Sequence, residues 1–144
     1  MRFTQAWTAP FCSPTRTSLI TGLYSAKTGV LDYFGSLSKK HHSFVNDLKD
    51  KGGYSTAVFG KWHIGDQPDT RPPARGFDES CGLMYSNDMW EFHPENPTYW
   101  GQYPLWFWEQ DSVVVERVTG KEQAKLTTWY TEHAVDFINR HKSE

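Results

Sequence analysis

The sequence has little of what marks several large classes of protein. Its 144 residues include only two cysteines, Cys12 and Cys81, which are too few for a disulfide scaffold and do not reveal the redox compartment. No apolar run approaches the length needed to cross a membrane, and no basic, apolar and small-residue leader follows Met1. The net charge of −2 is made of mixed signs and leaves no basic stripe, so nucleic-acid binding has no electrostatic support. A chain of this length buries one modest core, and we expect one domain or a piece of one.

Aromatic residues, in contrast, are plentiful. They make up 16% of the chain, and they are concentrated between Tyr85 and Trp108. Prolines and glycines separate them in this stretch, which predicts a loop over 90–108 rather than a helix. An aromatic-rich segment either lines a binding cleft or fills a core, and the sequence alone leaves both interpretations open.

Periodicity and turn residues predict helices that alternate with short strands. Ser43 is a suitable N-cap for a helix through Lys51, and Gly52-Gly53 is suited to end that helix. Residues 55–59 follow and predict a short strand. This order of helix, strand and polar loop is typical of an α/β fold, in which ligands bind beyond the carboxyl ends of the strands. The other predicted elements are a strand or extended lead-in over 2–7, a loop over 25–40, a surface loop over 66–75, a hairpin of 105–108 with 112–117, and an amphipathic helix over 127–141.

Residues 10–22 place a cysteine at the start of a predicted helix. Pro14 suits the first turn, because its missing N–H is not needed there, and Gly22 suits the end. Cys12 then meets the unpaired N–H groups and the positive end of the helix dipole, which stabilise negative charge on the sulfur or on a bound anion. Arg16, one turn further on, adds a permanent cation whose fork matches a tetrahedral oxyanion.

From these residues alone, Cys12 has two interpretations. One is a buried, inert thiol, which is the usual state of a single cysteine, although Pro14 and Arg16 weigh against it. The other is a thiolate nucleophile, as in a cysteine-dependent phosphatase or a sulfurtransferase. A phosphatase of that kind normally has a longer phosphate loop between its cysteine and its arginine. The histidines at positions 41, 42 and 93 have no zinc-like spacing with either cysteine.

Two segments together resemble the signatures of the type I sulfatases, the formylglycine-dependent arylsulfatase family. Residues 12–16, CSPTR, resemble Cys-x-Pro-Ser-Arg with threonine in place of the usual serine. Residues 60–65, GKWHIG, are preceded by GYST at 53–56 and resemble the second signature. The resemblance implies an α/β, alkaline-phosphatase-like sulfatase fold with helices packed on a mixed sheet, here incomplete. It implies that residues 1–144 are an N-terminal-half fragment of the catalytic domain, with the first strand upstream and the C-terminal portion missing.

The resemblance also implies a role for each site residue. Cys12 would be oxidised by a formylglycine-generating enzyme, and the hydrated aldehyde would carry one hydroxyl that attacks sulfur and a second that expels sulfate. Arg16 would orient this diol, and His63 would transfer the proton, a role suited to a pKa near neutrality. Lys61 and Ser86 would bind the substrate. The reaction would be hydrolysis of an aryl or carbohydrate sulfate ester.

A divalent cation, usually calcium, is the cofactor that the resemblance implies. Of the family's metal ligands, only formylglycine maps to this chain, at Cys12, so we expect this polypeptide alone to be poorly active or inactive. Family members are mostly periplasmic, secreted or lysosomal, and the missing leader leaves the compartment of this chain open. An alternative function is a non-catalytic module or pseudoenzyme that binds sulfated carbohydrate through the aromatic segment 85–108.

Overall fold

Short helices and strands follow one another along residues 2–142, which are the residues that the computed structural model describes. The α-helices are α1 (Cys12–Thr21), α2 (Ser25–Thr28), α3 (Phe44–Gly52), α4 (Pro97–Trp100), α5 (Gly120–Gln123) and α6 (Leu126–His141), and a short 3-10 helix spans Pro73–Arg75. The strands are β1 (Ala57–Lys61), β2 (Glu79–Leu83), β3 (Phe107–Glu109) and β4 (Ser112–Val115). In this part of the chain, no helix is long and apolar enough to cross a membrane.

The helix ends follow from local chemistry. The side chain of Ser43 accepts a hydrogen bond from the Val45 N–H and caps α3, which confirms the predicted start of that helix. α3 ends before Gly53, whose φ of 66° is in the left-handed region that glycine adopts without strain. α1 begins at Cys12, and the preceding Phe11 offers no side-chain cap. The first turn of α1 therefore presents N–H groups that no capping side chain occupies.

The four strands form one mixed sheet in the order β1-β2-β3-β4. β1 and β2 are parallel, with Ala57 opposite Glu79 and Lys61 opposite Leu83, whereas the other two pairs are antiparallel. The predicted α/β fold with helices on a mixed sheet is confirmed. Because parallel strands end at the same edge of a sheet, the segments that follow Lys61 and Leu83 lie side by side.

Helices cover both faces of the sheet. On one face, Ile20 of α1 and Val45 of α3 belong to the same buried cluster as Trp108. On the other face, Leu126 of α6 belongs to a second cluster with Phe107. Adjacent strand residues point to opposite faces, which is why Phe107 and Trp108 contribute to different clusters. The first cluster fixes α1, and hence Cys12, against the sheet.

Strand β1 begins two residues later than the sequence predicted. The N–H and the hydroxyl of Thr56 donate hydrogen bonds of 3.0 and 2.9 Å to the Asp78 carboxylate. The hydroxyl also lies 2.7 Å from the Gly76 carbonyl oxygen. Thr56 is therefore used to hold the loop before β2, and the regular ladder starts at Ala57.

Several other boundaries differ from the prediction. No strand forms over 2–7, and α2 and α4 are short helices in segments that were predicted as loops. The predicted hairpin is confirmed, although its strands are shorter than predicted. The Leu105 carbonyl oxygen accepts a hydrogen bond of 2.8 Å from the Val118 N–H, and this bond lies outside the β3–β4 ladder. α6 begins one residue earlier than predicted. The sequence did not predict β2 as a strand.

Gly82 lies where the backbones of β1 and β2 come close together. A Cβ atom at Gly82 would lie 1.9 Å from the Gly60 carbonyl oxygen on the neighbouring strand. We expect Gly82→Ala to lower the free energy of unfolding by about 3 kcal/mol, because the strands must separate to admit the methyl group. Urea denaturation measures this. Gly120→Ala is the matched control, since a Cβ there would meet no atom within 4 Å, and equal costs for the two variants would contradict the close contact.

Candidate active site

A cavity of about 590 Å³ lies beside the first turn of α1. α1 contributes Cys12, the loop after α2 contributes Tyr33 and Phe34, and the segment 86–100 forms the opposite wall. The cavity therefore joins the predicted cysteine to part of the aromatic segment. Its position beyond the carboxyl ends of β1 and β2 is where α/β folds bind ligands.

Cys12 and His63 are in direct contact across this edge. The Cys12 Sγ atom lies 3.1 Å from His63 Nδ1, although 51 positions separate the two residues in sequence. The backbone N–H of His63 donates a hydrogen bond of 3.0 Å to the Met84 carbonyl oxygen. His63 has a φ of 60°, which is uncommon for a residue other than glycine and is typical of functional positions. The backbone is thus held in a conformation that directs the imidazole at the sulfur.

Arg16 connects α1 to the end of β1. Its Nη1 atom donates hydrogen bonds to the carbonyl oxygens of Lys61, at 2.5 Å, and Trp62, at 3.3 Å. Burial lowers the pKa of Arg16 from its ordinary value, and the field of Cys12 acts in the opposite direction. The guanidinium is therefore close to the predicted nucleophile, and it also holds the backbone that carries His63.

The imidazole of His63 is neutral at physiological pH. His63 is only 3% exposed, and its burial, followed by the positive charges of Lys61 and Arg16, lowers its pKa from 6.5 to about 4. Asp88 and the Tyr33 backbone oppose this shift. The proton-transfer role that the resemblance implies for His63 suits a pKa near neutrality, and the lowered pKa differs from that value. A neutral imidazole offers one nitrogen as a proton acceptor, which suits a general base.

The lowered pKa of His63 predicts that stability falls on mild acidification. The unfolded state binds the proton more tightly than the folded state, so stability is complete above pH 6.5 and is lost as the pH falls toward 4. The loss is at most about 3 kcal/mol. We expect His63→Asn, which tolerates a positive φ, to remove most of the pH dependence between 6.5 and 5 in urea denaturation. An unchanged slope in this variant would contradict the buried, neutral imidazole.

Three further polar residues lie near Cys12 and His63: Lys61, Ser86 and Asp88. Ser86 lines the same cavity as Cys12, and Lys61 is the last residue of β1. The pKa of Asp88 lies below its ordinary value. The hydrogen bond with the Ser86 side chain lowers it most, burial opposes the shift, and the charges of His93 and Lys61 lower it further. The structure thus brings the predicted site residues to one edge of the sheet. Asp88 and His93 also line the cavity, although no spacing or motif assigned them to it.

The aromatic segment has both of the roles that the sequence left open. Phe107 and Trp108 are buried in the core, while Tyr99 and Trp100 line the cavity beside Cys12. A second cavity of about 420 Å³ adjoins it and is also lined by Tyr99 and Trp100. The other lining residues of the second cavity are mainly apolar: Phe34, Met84, Tyr85, Met89, Tyr103, Pro104, Leu105, Trp106 and Trp108, together with Asp66.

The donors around Cys12 do not fit a calcium ion. Calcium takes six to eight oxygen ligands, mostly carboxylates and carbonyls. The only carboxylates that line the Cys12 cavity are those of Asp88 and Glu95. Within residues 2–142, a group of three metal-ligating side chains occurs elsewhere, at Cys81, Glu109 and His133. The residues that line the Cys12 cavity therefore do not make a complete calcium site.

Cys81, the second cysteine, is not suited to act as a nucleophile. Cys81 is 2% exposed, and burial, with a smaller contribution from Glu109, raises the pKa of its thiol to about 12. A thiol in that state is protonated and reacts slowly at neutral pH. Cys12 is half-buried and opens into the cavity, so the chemistry of the site depends on Cys12.

The chain is similar to known sulfatases along its whole length. The profile of the sulfatase family matches residues 1–144. Arylsulfatase G of Rattus norvegicus is 38% identical over 100 residues, which are 67% of this chain and 18% of that protein. N-acetylgalactosamine-6-sulfatase of Mus musculus is 30% identical over 150 residues, covering 90% of this chain and 27% of that protein. The chain thus spans less than a third of the length of these curated relatives.

Solved structures of sulfatases share the fold. PsFucS1 sulfatase from Pseudoalteromonas sp. superposes with a TM-score of 0.74 at 21% identity, covering 94% of this chain and 32% of that chain. BT4656, solved in complex with D-glucosamine-2-N,6-O-disulfate, superposes with a TM-score of 0.61 at 24% identity. The match covers 96% of this chain and 24% of that chain. At these identities the likeness establishes the fold, which is the alkaline-phosphatase-like fold of sulfatases. With the family profile and the relatives of 30% identity or more, it leads to one conclusion: this chain belongs to the sulfatase family of sulfuric ester hydrolases.

Proposed function

We propose that this chain is the nucleophile-bearing part of an enzyme that hydrolyses sulfate esters. The observation that carries the proposal is the 3.1 Å contact between Cys12 Sγ and His63 Nδ1, at a helix start that Arg16 ties to β1. The overall reaction adds water to R–O–SO3⁻ and gives the alcohol, sulfate and a proton. Residue 12 is the catalytic nucleophile, and the residues around it bind the anion and move the proton.

Modification of Cys12 to formylglycine explains why a cysteine occupies this position. A hydrated aldehyde supplies one hydroxyl to attack sulfur and a second hydroxyl whose deprotonation expels sulfate. A serine or an unmodified cysteine would be left with a stable sulfated residue after the first step. The chain itself contributes the helix start, whose N–H groups and dipole favour the negative charge of the sulfate group.

His63 transfers the proton, and the cations Lys61 and Arg16 supply positive charge. His63, neutral and buried, accepts the proton that residue 12 loses, since its Nδ1 atom already contacts the side chain at that position. Lys61 supplies positive charge to the sulfate oxygens, and Arg16 adds charge while fixing residues 61 and 62. Ser86, on the cavity wall, binds the ester. A formylglycine-generating enzyme is the partner this function requires. Calcium is the cofactor expected from the family, and most of its ligands would have to come from residues other than those that line the Cys12 cavity.

The substrate is an aryl or carbohydrate sulfate. Support comes from the two adjoining cavities, because aromatic walls stack on the faces of phenyl and sugar rings. The complex of BT4656 contains a sulfated glucosamine, and Ps i-CgsB was solved with k-i-k-neocarrahexaose, so proteins of this fold bind sugars. In this chain the ring would lie against Trp100, which lines both cavities.

The chemical state of residue 12 tests the function. The chain is expressed with and without a formylglycine-generating enzyme, digested, and the peptide that contains Cys12 is analysed by mass spectrometry. With dioxygen as the oxidant, we expect co-expression to convert the CH2–SH group of Cys12 to an aldehyde, with its sulfur released as hydrogen sulfide. The aldehyde should react with an aminooxy probe, and Cys12→Ala should show no labelling. An intact thiol that iodoacetamide alkylates after co-expression would overturn the proposal and favour a thiolate phosphatase or a sulfurtransferase.

Trp100→Ala tests the placement of the substrate ring. Loss of the stacking surface should weaken the binding of an aryl sulfate by about tenfold, which corresponds to about 1.4 kcal/mol. Isothermal titration calorimetry measures the affinity without relying on tryptophan fluorescence. Trp7→Ala is the matched control because Trp7 is 91% exposed and is not a lining residue of either cavity. Equal affinities for the two variants would place the ring elsewhere.

A further inference from the structure

Three metal-ligating side chains meet on the side of the sheet that α6 covers. Cys81 comes from β2, Glu109 from β3 and His133 from α6. One ligand atom from each lies within 4.8 Å of the others. Within residues 2–142 this is the only such group of three, and none of its members lines the Cys12 cavity.

The fold fixes two of these residues through the strand ladder. Cys81 and Glu109 are directly opposed in the β2–β3 pair, so their side chains leave the sheet on the same face. His133 lies across that face, with its ring 5.8 Å from the ring of Phe59. The His133 Nε2 atom is 3.6 Å from Glu109 Oε1. The cluster is therefore held by two strands and a helix.

The separations suit a tetrahedral metal. Ligands bound to zinc at 2.0–2.3 Å lie roughly 3.3–3.8 Å from one another, and the Glu109–His133 distance of 3.6 Å already falls in this range. The Glu109 side chain is 48% exposed and the His133 side chain 38%. Both can rotate by the small amount needed to bring the oxygen and the nitrogen closer to the Cys81 sulfur.

The donor set also selects the class of metal. Sulfur, imidazole nitrogen and one carboxylate oxygen are zinc ligands, whereas calcium and magnesium require mainly oxygen. We infer that Cys81, Glu109 and His133 bind one zinc-like divalent cation, with a fourth position open to water. The ion fastens α6 to β2 and β3. The site is separate from the proposed sulfatase chemistry and does not depend on it.

Titration with Zn²⁺ alone tests the site. All measurements use the chain with Cys12→Ala, because the Cys12–His63 pair could itself bind zinc. After treatment with a chelator, we expect one equivalent of Zn²⁺ to bind in competition with a chromophoric chelator, and the melting temperature to rise. Substitution by Co²⁺ should give a sulfur-to-cobalt charge-transfer band in the near ultraviolet.

Variants at the three positions separate this site from adventitious binding. His133→Ala and Cys81→Ala should each weaken Zn²⁺ binding by about a hundredfold. His42→Ala is the matched control, since His42 also lies beside a carboxylate, 3.0 Å from Asp47, and it should leave the affinity unchanged. If Cys81→Ala does not fold, Glu109→Gln with His133→Ala decides the outcome. Binding that is unaffected by these changes, or the absence of binding below millimolar Zn²⁺, overturns the inference.

Discussion

Replacing Arg16 by methionine should destabilise the protein by about 3 kcal/mol. Methionine has a similar length but donates no hydrogen bonds, so the carbonyl oxygens of Lys61 and Trp62 lose the guanidinium contact. Partly buried carbonyls without a donor are costly, and the loss of a charged donor adds to the cost. The free energy of unfolding in urea measures the effect.

Arg117→Met provides the control for Arg16→Met. Arg117 forms an exposed ion pair with Glu91 at 3.0 Å, and such pairs contribute less than about 1 kcal/mol. Arg16→Lys should restore only part of the stability, because an ammonium group cannot reproduce the planar fork. If Arg16→Met costs no more than Arg117→Met, the connection between α1 and β1 is not the structural role of Arg16.

Replacing Lys61 by alanine should remove most of the affinity for sulfate. The charge of Lys61 acts on both His63 and Asp88, so its field extends over the Cys12 cavity. Loss of this charge should weaken sulfate binding by about tenfold or more. The readout is the rate at which iodoacetamide alkylates Cys12 in the unmodified chain, because bound sulfate shields the thiol.

Sodium chloride at the same ionic strength controls for screening in this alkylation experiment. Lys61→Arg should keep the protection, and Lys27→Ala should behave like the parent, since Lys27 is an exposed residue on α2. Protection by sulfate that survives in Lys61→Ala would show that this lysine does not contribute to the anion site.

Local signals predicted much of the fold. The cap at Ser43, the glycine after α3 and the apolar stripe of α6 are set by neighbouring residues, and the structure has these elements within one or two residues of the prediction. The β3–β4 hairpin was predicted for the same reason. Elements of this kind are specified by the sequence that forms them.

Strand β2 could not be predicted in this way. Its residues 79–83 include Ser80 and Gly82, which are poor local signals for a strand. The strand exists because β1 pairs on one side and β3 on the other. Gly82 is there because the Gly60 carbonyl oxygen leaves no room for a Cβ atom. Both causes are tertiary, and neither is visible in residues 79–83 alone.

The site was predicted through two motifs rather than from physical principles alone. The residues indicated a cysteine at the start of a helix, whereas the contact with His63 depends on how α1 and β1 are joined. The lowered pKa of His63 depends on its burial and on two nearby cations. Asp88 reaches the cavity through a loop. The cluster of Cys81, Glu109 and His133 is also purely tertiary, since its members are far apart in sequence.

The central claim is that residue 12 takes the sulfo group from the ester. The most direct measurement uses Cys12→Ser in the whole enzyme of which this chain is the proposed nucleophile-bearing part. The serine can attack sulfur, but it has no second hydroxyl to expel sulfate. After incubation with an aryl sulfate, the ester S–O bond breaks, a new S–O bond forms to residue 12, and the phenol leaves with the proton. Peptide mass spectrometry should then find a sulfo group on residue 12 of this variant and none on residue 12 of Cys12→Ala. An unmodified residue 12 in Cys12→Ser, with or without release of phenol, would contradict the account.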